Sequence, residues 1–340
     1  ELSRIDRKRV EQYVDEHGVD ESSNDTDTDA NRSIQREQQT VNASGSTYPA
    51  DAWELSDVEA LSTDEIVEKL ADHGIETNEA AFRDRAEDLD SATTLSEQWE
   101  AEYEVDATGY DQDFIWMAAQ ELWERWAPET PNKERIYNFV QEGRDLQEKG
   151  NRAGACDQWL TAWEYILAVI PDDSTTIEEA DRTLPTFLSL EAFIRSLDSD
   201  LATVAEDDSA YHEHRLEFCR EVCEQFPDAD DELLLDFRHF VADSLAELGR
   251  TTDSRAEFEA LIEEYPEDPW AYKKLADSYW LDDPDELSIE ELERTAELYR
   301  AALDVGGPLE GASVVADCLK DVERRLTDAR TSDERGAEKP

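Results

Sequence analysis

The chain has 340 residues, 88 Asp and Glu against 32 Lys and Arg, and a formal net charge of −56, with a mass of 38.8 kDa and a pI near 4.1. That length allows about two compact domains or one long repeat array. Four cysteines are too few for a disulfide-built fold, no run approaches the ~18 apolar residues of a membrane span, and no basic-then-apolar start reads as a signal peptide. The expected setting is the cytoplasm. Hydrophobic residues make up 39% of the chain, below the ~45–50% of ordinary globular chains. Nine Trp, eleven Tyr and ten Phe nevertheless supply enough large apolar groups to predict an ordered core.

The charge is spread along the whole chain. A compact protein of this mass exposes on the order of 14,000 Å², or about one net negative charge per 250 Å². The Debye length falls from ~8 Å at 0.15 M salt to ~3 Å at 1 M, so the self-repulsion is screened only in concentrated salt. Lysine supplies only 8 of the 32 bases. Acid throughout with scarce lysine resembles the cytosolic proteins of salt-in halophiles. The same balance argues against direct binding of nucleic acid, which needs clustered bases.

In chain order, residues 3–17 are expected to form a short helix closed by Gly18, and residues 19–50 a disordered linker of Asp, Ser, Thr, Asn and Gln. Three N-x-S/T triplets at Asn24, Asn31 and Asn42 follow from that composition. From residue 51 the sequence is mostly helix punctuation. Ser62 with Glu65 makes a capping box, and Gly74 sits where a helix ends. Helices are predicted at 62–73, 78–89, 93–104 and 110–127, giving a helical module over 51–129. Trp116, Trp123 and Trp126 share one helical stripe that should anchor its core. No alternating β-branched run marks a strand.

Residues 139–162 place Phe139, Gly143, Leu146, Gly150, Ala155, Trp159 and Ala162 at relative positions 4, 8, 11, 15, 20, 24 and 27. The pattern returns as Val241, Ala242, Leu245, Gly249, Phe258, Leu261 and Pro266, and 34 residues further on as Tyr272, Leu275, Ala276 and Tyr279. An insertion containing Asp282, Asp283 and Pro284 displaces the last second helix, which resumes with Tyr299 and Ala302. This resembles the tetratricopeptide (TPR) helical hairpin, in which small residues at 8 and 20 let two helices approach and a bulky residue at 24 fills the groove. Arg238 stands where the pattern has an aromatic, and Ser254 and Thr295 stand where it has alanine. Segments 185–203 and 209–226 read as a degenerate helix pair between the units, and 311–328 as a polar-faced cap. The expected fold is all-α: a right-handed, TPR-like array over 130–330 with a tail at 331–340.

A second resemblance rests on DFIWMAAQELWERWAP (113–128) and GNRAGACDQWLTAWE (150–164). Residues 55–170 look like the helical region of SEC-C motif proteins, although the Cys-rich zinc module itself has no counterpart here. That relation implies a zinc-binding or nucleic-acid-processing accessory protein as the alternative function. His212, Cys219 and Cys223 share a helical face at i, i+7 and i+11 and are the low-ranked candidate metal ligands. Leu216 and Phe226 on the same stripe favour core-facing cysteines.

No phosphate loop, nucleophile elbow, zinc-protease or dinucleotide motif occurs, so no catalytic residue, metal or cofactor is expected. What remains is the concave face of the array, which the TPR resemblance places at positions 2, 5, 9 and 12. Those positions carry Tyr137, Val140, Arg144 and Gln147, then Asp236, His239, Asp243 and Ala246, then Trp270, Lys273, Asp277 and Trp280. The expected peptide groove is therefore Trp270, Lys273, Lys274, Asp277, Trp280, His239 and Arg144. Its two aromatics and two of the eight lysines suit an acidic segment of a protein partner. The expected function is a non-catalytic scaffold.

Overall fold

Short polar side chains start most of the helices. Glu65 N donates to Ser62 Oγ (3.3 Å) and Ser62 N donates back to the Glu65 carboxylate (2.7 Å), the reciprocal box expected from the sequence. Asn78, Ser91, Asn132 and Asn151 cap later helices by the side-chain bond alone, each accepting from the backbone N–H three residues on. The computed structural model describes residues 53–108, 110–280, 287–305 and 311–337, and among them there are fifteen α-helices and no strand. The helix read at 3–17, the linker at 19–50, the Asp282–Pro284 insertion and Gly306-Gly307-Pro308 lie outside the described residues. Backbone contacts divide the chain into Glu1–Trp53 and Glu54–Pro340, and all fifteen helices belong to the second part. None of these helices is long and apolar enough to cross a membrane.

Five helices form the first module: α1 (Leu55–Glu59), α2 (Thr63–Asp72), α3 (Glu79–Ala86), α4 (Ala92–Glu102) and α5 (Tyr110–Trp126). The other four all pack against α5. Phe114, Ile115, Leu122 and Trp123 of α5 are fully buried, and Trp116 is 5% exposed. Phe82 of α3 meets Trp99, Trp123 and Trp126 edge-on at 6.0, 5.9 and 5.5 Å, a geometry that aligns ring edges with ring faces. The tryptophan stripe is thus core. Glu134 joins this module to the rest: its carboxylate accepts from Ser91 Oγ (2.7 Å) and from Ala92 N and Thr93 N (3.0 Å each), at the positive end of α4.

Ten helices follow: α6 (Lys133–Glu148), α7 (Arg152–Val169), α8 (Ile177–Asp181), α9 (Leu190–Ala205), α10 (Tyr211–Gln225), α11 (Asp231–Glu247), α12 (Thr251–Glu264), α13 (Pro269–Trp280), α14 (Ile289–Asp304) and α15 (Ala312–Ala337). Apart from the single turns α1 and α8, each corresponds to a helix that the sequence predicts, and α15 runs nine residues past 328, into the segment 331–340 read as a tail. From α6 onward each helix packs on its successor, with α7 passing directly to α9 across the short α8. Apolar residues from Ile136 to Leu245 make one continuous core and those from Ala242 to Leu326 a second.

Small residues stand where the backbones approach. Ala155, Ala242, Ala276, Ser254 and Thr295 have no exposed surface. At Gly143 a Cβ would lie 2.2 Å from Trp159 Nε1, so only glycine fits under that indole. Gly150 and Gly249 turn α6 into α7 and α11 into α12 with φ of 82° and 70°, a region costly for other residues. The departures have local compensation. Arg238, at the aromatic position, bridges Glu257 (3.0 Å) and Glu264 across α11 and α12. Thr295 satisfies its buried hydroxyl on Glu291 O (2.8 Å).

Candidate functional site

The stripe Tyr137, Val140, Arg144 and Gln147 on α6 faces the segment 187–200. The Tyr137 ring stands edge-on to Phe187 at 4.9 Å, and Gln147 Nε2 donates to Asp200 Oδ1 at 3.2 Å. Between these two contacts the surface opens into a cleft of about 280 Å³. Val140, Trp159, Phe187, Leu188, Phe193 and Leu197 give it apolar walls, with Ser189, Ala192 and Ser196 at the small positions. Trp159 is held in place because its Nε1 donates to Val140 O (3.2 Å). Among the described residues Arg144 is the only charged side chain lining the cleft. It is exposed and makes no ion pair among them.

The remaining expected groove residues gather on α11 and α13, apart from Arg144. Asp268 caps α13, accepting from Trp270 N and Ala271 N at 3.0 Å each, and meets His239 Nε2 at 2.7 Å. Burial alone would raise the Asp268 pKa, but the bond to His239 and those two N–H groups hold it below the usual carboxylate range. Lys274 Nζ bridges both oxygens of Asp243 on α11 at 2.9 and 3.0 Å. Lys273 Nζ lies 2.5 Å from Asp277 Oδ2 and 5.9 Å from the centre of the exposed Trp270 ring. Asp277 also accepts from Tyr299 OH (2.7 Å); burial and that bond push the tyrosine hydroxyl far above its ordinary pKa. Trp280 is half-buried against the second core. Both lysine charges are therefore engaged by carboxylates of the same chain, one at the i, i+4 spacing of a helix and the other across two helices.

Cys219 is fully buried, with its Sγ 3.3 Å from Asp198 Oδ1. Asp198 in turn accepts from Arg215 Nε (2.7 Å) and Nη2 (3.1 Å), and this guanidinium lies 5.0 Å from the Phe240 ring centre. Burial raises the Cys219 pKa well above that of a free thiol and pushes Cys223 up to about 11. Both are therefore thiols in the metal-free protein. His212 is half-buried with its Nδ1 lacking a hydrogen-bond partner. Among the described residues no group of three or more His, Cys, Asp or Glu side chains is arranged to hold a metal ion. Cys156 likewise is raised to about 12, chiefly by burial.

No protein-family model matches this chain, and no curated protein matches it in sequence.

Proposed function

We propose that the chain is a non-catalytic scaffold: a degenerate, right-handed TPR-like array over 130–330 that binds a protein or peptide along its concave face, in the cytoplasm of a salt-in organism. The observation that carries this reading is the α6 stripe opening onto an apolar cleft with one cation at its edge, at positions 2, 5, 9 and 12 of the first hairpin. Sequential helix packing gives such an array a long surface. Binding specificity resides in side chains and not in the fold, so the test acts on side chains. Capture in high-salt lysate should lose the same proteins on Arg144→Glu, or on Trp270→Ala with Lys273→Glu. A captured set unchanged by all three substitutions would remove the concave-face reading.

A further inference from the structure

We infer that the α6–α7–α9 cleft receives one bulky apolar side chain of a peptide whose adjoining carboxylate pairs with Arg144. This deepens the concave-face reading and rests on it. A cleft of about 280 Å³ lies just under the ~300–1,000 Å³ typical of sites for whole small molecules, so a single side chain suits it better. Its walls are mainly aliphatic and aromatic, and Phe187 at the rim is 36% exposed.

Charge selects the neighbouring group. With 88 acids in 340 residues, none lines this cleft, and its one charge is positive. Arg135, Arg195, Arg215 and Arg238 are all held by carboxylates of the chain, whereas Arg144 makes no ion pair among the described residues. A guanidinium offers a planar fork that matches a carboxylate in two parallel hydrogen bonds. The salt response also follows. The net charge of −56 repels an acidic peptide at long range, and added salt screens that repulsion more than the short-range contact in the cleft. Affinity should therefore rise with KCl, opposite to ordinary electrostatic capture.

The test uses the full chain in molar KCl and fluorescence anisotropy with a labelled heptapeptide, Gly-Ser-Asp-Phe-Asp-Ser-Gly. Replacing its Phe by Ala, or both Asp by Lys, should weaken binding about tenfold or more. Arg144→Glu and Ala192→Trp should do the same; both positions are exposed, and far-UV dichroism checks that the helices are kept. The proposal is overturned if the Asp-Phe-Asp peptide fails to bind, binds no better than the Lys peptide, or binds both variants as it binds the parent. A displayed random heptapeptide library then separates the two levels. Enriched sequences indifferent to Arg144→Glu and Ala192→Trp leave the concave-face reading standing and remove only the cleft. No enrichment at all removes both.

Discussion

Gly143→Ala measures how closely α6 and α7 approach. In an open helix this change stabilises by about 0.5–1 kcal/mol, because alanine has less backbone freedom to lose. Here the added methyl would stand 2.2, 2.6 and 2.7 Å from Nε1, Cδ1 and Cε2 of Trp159, against ~3.5–4.0 Å for ordinary carbon contacts. The indole is only 7% exposed and donates to Val140 O. It must therefore move by about 1 Å inside a packed interior, and its hydrogen bond goes with it. Overpacking costs about 1–3 kcal/mol and an unsatisfied buried donor about 1–3 more. After subtracting the gain in helix propensity, the expected loss is about 3 kcal/mol, or a Tm lower by roughly 5 °C for a unit of this size. Near-UV dichroism melts and urea midpoints in molar KCl read this directly. In a Trp159→Phe background the smaller ring leaves room, so the alanine should cost at least about 1 kcal/mol less. A Gly143→Ala protein melting at or above the parent would refute the close approach, and so would a cycle without coupling.

Three further outcomes follow from the same structure. Asp198→Asn leaves the Arg215 guanidinium, whose side chain is 10% exposed, without its counter-charge. This should cost about 3–5 kcal/mol in the urea midpoint, and a loss below about 1 kcal/mol would show the pair to be solvated. Asp268 has its pKa held below the unfolded value of ~3.9, so its carboxylate stabilises the fold above about pH 4 and that contribution disappears as pH falls through the folded value. The stability gap between the parent and Asp268→Asn should accordingly shrink below about pH 4, and a gap constant from pH 7 to 3 would contradict it. Lowering KCl from molar to about 0.05 M should lower the Tm through self-repulsion of the −56 charge; an unchanged melt would end the halophile reading.

Helix positions were legible because caps and glycines act locally. Ser62 with Glu65, Gly74, Gly150 and Gly249 each announce an end within four residues, and the chain turns at each of them. Single-turn α1 and α8 escape a sequence reading because five residues hold little more than one 3.6-residue period, too few for a repeat to show. At the buried small positions volume mattered more than chemistry. Ser254 replaces alanine with no exposed surface and leaves its hydroxyl without a partner, while Arg238 replaces an aromatic by spanning two glutamates. The site was less legible, because pairing is a three-dimensional property. Nothing in the order of residues says that Lys274 reaches Asp243, 31 positions away, or that Asp268 serves His239 and the start of α13 together. The cleft was half-visible: Val140 and Arg144 lay on the expected stripe, but Phe187, Phe193 and Leu197 come from a segment that matches no repeat position.

The distribution of bases gives the charge its functional meaning. Arg125 reaches Glu59 O and Thr63 Oγ1, Arg195 joins α9 to Asp236 of α11, Arg255 stacks 3.9 Å from the Tyr279 ring centre, and Lys274 ties α13 to α11. Such half-exposed pairs contribute only about 0–1 kcal/mol each, so their main effect is to fix the register between helices. With many of the bases committed in this way, the outward surface is left acidic, which in concentrated salt leaves little long-range attraction. On the proposed scaffold function, recognition would come from short-range contact in places where acid is missing. Among the described residues the cleft beside Arg144 combines apolar walls, an unengaged guanidinium and no lining carboxylate. The lysines on α13 sit 2.5 and 2.9 Å from carboxylates of their own chain, so a partner there would first have to displace an internal bond. Selectivity should accordingly follow α6 before α13: Arg144→Glu should reduce peptide binding more than Lys273→Glu, and the reverse order would move the site to the third hairpin.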